Sequence, residues 1–278
     1  MENQTVKNVQ DKILYVMKFI DKLCRENDIT YYLMGGTALG AVRHGGFIPW
    51  DDDLDIFMTP ENYKKFAGVF NSLNSNEFVL QEWKTTNDYL EYAKVRLNGT
   101  TFIEDCFKDR KDMHHGIYVD IMILHKCPDN KCVQKSLYFK CKYVTLYALS
   151  QRNWKPKTKF QKFALWLIKL LPNKWLVKSF YKHIYKYDDK PMDDYKWFYW
   201  ITPAKFRAGL FDKEFFDNHG EIQFEDSTFM CPDKIHEYLA YRYGDYMKLP
   251  PVEQQQAAVH AMYYDTEKDY TEYFKEQE

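Results

Sequence analysis

The segment GGTALGAVRHGGFIPWDDDLDIFM, residues 35–58, sets five glycines ahead of four aspartates that fall within five residues. Carboxylates this crowded are costly to bury unless cations or hydrogen bonds hold them. An acidic turn in water is the simplest arrangement for such a run. The neighbouring residues argue for more. A calcium loop counted from Asp51 needs Gly at its sixth place and Glu at its twelfth, where the chain has Ile56 and Asn62. A P-loop needs Gly-Lys-Ser/Thr, where the chain has Gly40-Ala41-Val42, and no Rossmann fingerprint is present. What remains is a diglycine opening a helix, whose N–H groups and dipole favour phosphate. Gly35, Gly36 and Thr37 are therefore candidate phosphate holders. Asp53 and Asp55 follow on one face of a strand, because side chains alternate with period two. Magnesium takes one or two carboxylates and completes its shell from phosphate oxygens, so this pair suits a metal-held nucleotide.

A third carboxylate would complete such a site. Asp120 in GIYVDIMIL is the best candidate, because an Asp between Val119 and Ile121 on an apolar strand needs a partner. A plain strand-end carboxylate is the other reading. Lys94 and Arg96 alternate on one strand and point the same way, either toward a leaving nucleotide or into water. Arg43 and His44, between the glycines and the aspartates, are within reach of phosphates, although loop structure suits His44 better. Trp83, Tyr89 and Tyr92 flank the strand with Lys94, but with fifty aromatic residues in the chain none is assigned to a choline cage.

Several elements must position these groups. Val6, Val9, Ile13, Val16, Ile20 and Leu23 recur at helical spacing at the start of the chain. ITYYLM then forms a strand, Gly35-Gly36 a turn and TALGAVR a helix. After the DLDIFM strand, Thr59 caps a helix that has Pro60 in its first position. FVLQEW, YAKVRLNGTTFI and GIYVDIMIL are further strands, the second broken at Asn98-Gly99 by a hairpin turn. YDDKPMDDY is a loop.

The chain's 278 residues can bury a sizeable core. Its net charge of −1 conceals a segregation, for residues 130–187 carry thirteen Lys, one Arg and no acid. This suggests an anionic partner. Within that stretch Phe163, Trp166, Leu167 and Leu170 form an apolar stripe, and Pro172 should end its helix near Leu171. Two readings are open: a helix packed on the catalytic core with its lysines in water, or one resting on an anionic membrane surface. The longest apolar run is too short to span a bilayer, and the charged N-terminus does not read as a signal peptide. A cytoplasmic location is expected. Six scattered cysteines suit a reducing compartment, and the group Cys127, Cys132, Cys141 with His125 reads as ordinary thiols rather than zinc ligands.

The glycine and aspartate segment, together with AKVRLNGTTF, YVDIMIL and FEDSTFMCPDKIHEYLAYRYGDYMKLPP, resembles the LicD/fukutin family. The resemblance implies an α/β, nucleotidyltransferase-like mixed sheet of the DNA polymerase β type with flanking helices and a helical, aromatic-rich C-terminal lobe. The change of pattern along the chain divides it into a nucleotidyltransferase-like catalytic core over 1–125, a basic aromatic helical segment over 126–190 and a C-terminal lobe over 191–278. The resemblance implies transfer of a phospho-alcohol, most simply phosphocholine from CDP-choline, to a sugar hydroxyl of a surface glycan precursor, with CMP released. CDP-ribitol, CDP-glycerol and CDP-ethanolamine are alternative donors, and nucleotidyl transfer is an alternative reaction. Asp53 and Asp55 would be the family's paired ligands for Mg2+ (or Mn2+), Asp120 the third carboxylate and proton acceptor, and Asp51 a further acidic position. The acceptor is a sugar or a lipid-linked glycan, with peripheral contact to an anionic membrane and no nucleic acid. Outside enzymes, the alternative is a non-catalytic protein that binds anionic surfaces through the basic segment. Where relatives carry a basic residue after the C-terminal Pro-Pro, this chain has VEQQQAAVH.

Overall fold

The computed structural model describes residues 5–276 apart from 87–89, 153–155, 157, 172, 190, 192–194, 202–205 and 256–259. Tyr89, Pro172 and part of the YDDKPMDDY segment lie outside the described residues. Helix α1 (Val6–Glu26) buries Val9, Ile13, Val16, Ile20 and Leu23 along one stripe, as their spacing predicts. That stripe packs on a seven-stranded mixed sheet. Its main path runs β1 (Tyr32–Leu33), β2 (Asp55–Met58), β6 (Tyr118–Cys127), β4 (Tyr92–Leu97), β3 (Phe78–Glu82). The second half of β6 also pairs with β7 (Trp197–Trp200), which pairs with β8 (Leu210–Asp212).

Strands β2 and β6 are parallel, and the other pairings are antiparallel. A parallel pair needs a long crossover, which here begins with helix α3 (Pro60–Ser72). Its first turn is held as expected, the Thr59 hydroxyl accepting the Asn62 N–H at 3.3 Å with Pro60 at the helix start. Helix α2 (Gly35–His44) joins β1 to the aspartate loop.

The expected hairpin at Asn98-Gly99 is replaced by a turn without strand pairing. Both edges of β4 are already taken by β3 and β6, so β5 (Thr101–Glu104) has no edge of β4 to join. It pairs instead with β11 (Ala261–Asp265), and the Thr101 hydroxyl bonds the Lys268 carbonyl at 2.7 Å. The expected division at 125 falls inside β6, and strands from beyond residue 190 extend the same sheet. The C-terminal part is mixed, with the hairpin β9 (His219–Phe224)–β10 (Ser227–Pro232), helix α7 (Ile235–Tyr243) and helix α8 (Tyr270–Lys275).

The basic segment forms helices α4 (Lys131–Gln151), α5 (Lys159–Lys169) and α6 (Asn173–Tyr185). They meet through a small separate core of Val144, Tyr147, Ile168 and Val177. The reading in which the Phe163, Trp166, Leu167 and Leu170 stripe packs on the catalytic core is corrected here. Burial runs through Ile168 on the other side of α5, and all four stripe residues are exposed.

At the junction of sheet and helices, His125 is buried between two carboxylates. Its Nε2 lies 2.7 Å from Glu91 and its Nδ1 2.9 Å from Asp188, while the Tyr185 hydroxyl donates to the other oxygen of Glu91. Burial alone would lower its pKa, but the two carboxylates raise it to about 10. Cys127 and Cys141 are buried, and burial pushes the Cys127 thiol up to about 12. Cys132 is exposed.

A histidine whose folded pKa exceeds its unfolded value stabilises fully below about pH 6.5, and that contribution fades as pH rises through about 10. We expect His125→Gln to cost about 3–5 kcal/mol near neutral pH, since it strands two buried carboxylates. The penalty should shrink toward about pH 10, as urea titrations across that range will register. A penalty independent of pH would contradict the charged form.

Candidate active site

The β1–α2–β2 unit brings the aspartates against the helix start. The Asp55 N–H donates to the Thr37 hydroxyl at 2.9 Å, and the Met34 N–H donates to the Asp55 carbonyl at 3.1 Å. The Gly35 N–H is already taken by the Tyr238 hydroxyl at 3.0 Å. The helix start has no side-chain cap, so the amides of Gly36 and Thr37 are the ones it leaves open at its positive end. Glycine is needed here for close approach. A Cβ on Gly36 would come within 3.1 Å of the Asp51 carboxylate, and one on Gly40 within 2.4 Å of the Gly46 carbonyl. The loop after α2 is held in turn by Glu225, whose carboxylate accepts the Phe47 N–H at 3.1 Å and whose own N–H donates to the Gly45 carbonyl at 2.7 Å. The glycines thus let α2, its loop and the aspartates pack against one another.

Asp55 and Asp120 are register partners across the parallel β2–β6 pair. The Asp120 N–H bonds the Leu54 carbonyl at 3.0 Å, so Leu54 runs alongside as well. Leu54 and Ile56 face the core while Asp53 and Asp55 stay partly exposed, as the alternation predicts. Lys94 is the register partner of Asp120 on β4, and its Nζ lies 2.9 and 3.1 Å from the two carboxylate oxygens. The same ammonium sits 3.3 Å from the centre of the Tyr118 ring and 3.7 Å from Glu104.

Lys94 and Arg96 do share a face, but it is not a solvated one: they are 2% and 1% exposed. Arg96 directs its guanidinium to Gln81 at 3.0 Å and to the Gly116 carbonyl at 2.8 Å, with Glu104 at 3.8 Å. It braces the Lys94–Glu104 pair, and Lys94 alone of the two touches Asp120. Arg43 reaches the carbonyls of Tyr246 and Lys248 at 3.1 and 3.3 Å, tying α2 to the C-terminal segment. His44 packs edge-on to Trp50. Both residues are therefore engaged in loop structure.

The carboxylates repel one another. Burial and then the charges of Asp51, Asp120 and Asp52 raise the Asp53 pKa to about 7. Asp55 is pushed well above the ordinary range by burial and then by Asp53 and Asp120, while Asp51 is raised by burial and then by Asp52. Burial likewise raises Asp120, with Lys94 opposing it. The sequence pattern did not single out His260. Its Nδ1 and N–H both engage the buried Asp52 carboxylate, and that hydrogen bond raises the imidazole pKa to about 9. His260 follows VEQQQAAV and meets Asp52 across 208 positions of sequence. Tyr238 and Glu104 also went unremarked, each engaging the site only through folding.

Hard oxygen donors suit magnesium or manganese. Asp120 Oδ1 is buried with the Lys94 ammonium 2.9 Å away, and the carboxylates of Asp53 and Asp55 repel one another. Among the described residues no group of three or more His, Cys, Asp or Glu side chains forms a ready-made metal cage. Asp53, Asp55 and Asp120 offer oxygen donors of the kind a divalent metal takes when phosphate completes its shell.

We expect Asp53→Asn and Asp55→Asn to raise the melting temperature of the metal-free protein at neutral pH by about 2–4 °C for each kcal/mol of repulsion relieved. Thermal unfolding will register this, and a lowered melting temperature would contradict the charge balance. Gly40→Ala should cost roughly 1–3 kcal/mol in urea unfolding, because the Gly46 carbonyl must move.

The family model for the LicD/FKTN/FKRP nucleotidyltransferase domain matches residues 28–161. The chain is 30% identical over 263 residues to the lipopolysaccharide cholinephosphotransferase LicD of Haemophilus influenzae, covering 92% of this chain and 96% of that protein. It is 30% identical over 128 residues to an uncharacterized protein of Rickettsia prowazekii, 46% of this chain and 44% of the other. A 54-residue match to an uncharacterized protein of Rickettsia typhi reaches 51% identity, over 19% of this chain and 18% of that one. With the aspartate pair, the strand carboxylate and an α/β fold all in position, the chain belongs to the LicD family.

Proposed function

We propose that the chain is a metal-dependent phosphotransferase that moves phosphocholine from CDP-choline to a sugar hydroxyl of a lipopolysaccharide-type glycan precursor in the cytoplasm, releasing CMP. The observation that carries this reading is the facing of Asp55 and Asp120 across parallel strands, with Asp53 on the same face and Lys94 against Asp120. Similarity to a cholinephosphotransferase over nearly the whole chain supports choline as the alcohol and lipopolysaccharide as the acceptor class.

Asp53 and Asp55 would hold the magnesium or manganese ion, which when bound supplies positive charge to the donor diphosphate. The other steps fall to the chain's own groups. Gly36 and Thr37 amides bind a phosphate oxygen at the positive end of α2. Asp120, oriented by Lys94, accepts the proton of the sugar hydroxyl as its oxygen bonds the choline-bearing phosphorus. The bond from that phosphorus to the bridging oxygen breaks, and CMP leaves with the electron pair. Lys94 offsets negative charge beside the transferring group.

Incubation with CDP-choline, Mg2+ and a lipopolysaccharide acceptor should yield CMP and a choline-bearing glycan. Even outer partners of a metal site are worth about 10- to 100-fold, so Asp53→Asn or Asp55→Asn should lower the rate at least about 100-fold with the fold intact. Diphosphate in place of CMP would point to nucleotidyl transfer and contradict the proposal. Near wild-type rates in either variant would contradict the ligand assignment.

A further inference from the structure

We propose that the outer face of α5 and the start of α6 is a docking surface for an anionic lipid bilayer. A helix in a water-soluble domain normally turns its apolar stripe inward. Here α5 rests on α4 through Ile168 and turns Phe163, Trp166, Leu167 and Leu170 outward, with Phe160 78% exposed and Trp175 on α6 69% exposed. A contiguous run of large apolar side chains left in water marks an interaction site.

The charges around the patch identify its occupant. Lys159, Lys162 and Lys169 on α5 and Lys174 and Lys178 on α6 are exposed, and no acid lies between residues 130 and 187. A protein partner would match a few of these charges at fixed points. A bilayer of anionic headgroups matches all of them while its acyl boundary accepts the Trp, Phe and Leu side chains. The α5 pattern, aromatic and leucine on one arc with lysine at its border, is that of a helix lying in the membrane interface. Among the described residues no helix is long and apolar enough to cross a membrane, so the contact is peripheral.

Helix α4, on which α5 rests, also touches the strand that carries Lys94. Arg152, at the end of α4, bonds the Tyr92 hydroxyl at 3.1 Å, and the Lys94 ammonium lies 5.3 Å from the centre of the same Tyr92 ring. Helix α5 begins seven residues later. The inference does not depend on the transfer reaction, because lipid binding is read without turnover.

The test is co-sedimentation of the full chain with phosphatidylcholine vesicles, with and without phosphatidylglycerol, at low and raised salt. Binding to the anionic vesicles alone, weakened by salt, is expected. Lys162→Gln and Lys169→Gln should each lower partitioning about fivefold. The combined variant F163S, W166S and L170S should lose it while keeping its melting temperature, since these side chains are exposed. No binding by the wild-type chain, equal binding to neutral vesicles, or undiminished binding by the combined variant would overturn the proposal. So would a lipid-free dimer that the combined variant dissociates, because the patch would then be covered by a second copy.

Discussion

Mutual repulsion among Asp53, Asp55 and Asp120 is the constraint around which the rest of the structure is arranged. Three carboxylates on one face of a parallel strand pair cannot all ionise in a partly buried setting unless positive charge is brought to them. The fold supplies some of it. Lys94 meets Asp120 directly, Arg96 and Glu104 fix Lys94 from behind, and His260 neutralises Asp52 at the edge of the loop. The remainder is left open on the face that a metal and a diphosphate would share. The close packing of α2 serves the same end, because Gly36 and Gly40 let the helix start and its loop crowd against the aspartates.

The same balance explains the size of the sheet. Asp120 can stand beside Asp55 only if β6 pairs with β2 in parallel, and it can meet Lys94 only if β6 also pairs with β4. β6 is therefore central and long, and its second half is free to recruit β7 and β8 from the C-terminal part. The buried His125, between Glu91 and Asp188, then joins this end of β6 to the segment that follows α6. Strands β7 and β8 thereby share one sheet with β2, β4 and β6, and the helical segment is tied to it through His125.

Much of the site was legible in local pattern. Period-two alternation put Asp53 and Asp55 together, an unpaired Asp on an apolar strand flagged Asp120, and Thr59-Pro60 announced α3. What local pattern missed depends on distant pairing. β5 could not be assigned to β11 without knowing that both edges of β4 are filled. The α5 stripe was correctly periodic, but periodicity does not say which side of a helix finds a partner, and Ile168 won. His260 meets Asp52 across 208 residues, and Tyr238 meets Gly35 across 203, with no spacing rule to relate them.

On the proposed function, this carboxylate face takes a divalent metal only when a diphosphate donor completes the shell. The direct measurement is Mn2+ binding followed by electron paramagnetic resonance, with and without CDP-choline, in the wild-type chain and in Asp55→Asn. Weak binding of Mn2+ alone, much tighter binding with CDP-choline present, and loss of that gain in the variant are expected. Mn2+ binding that CDP-choline leaves unchanged, or that survives Asp55→Asn, would contradict that reading.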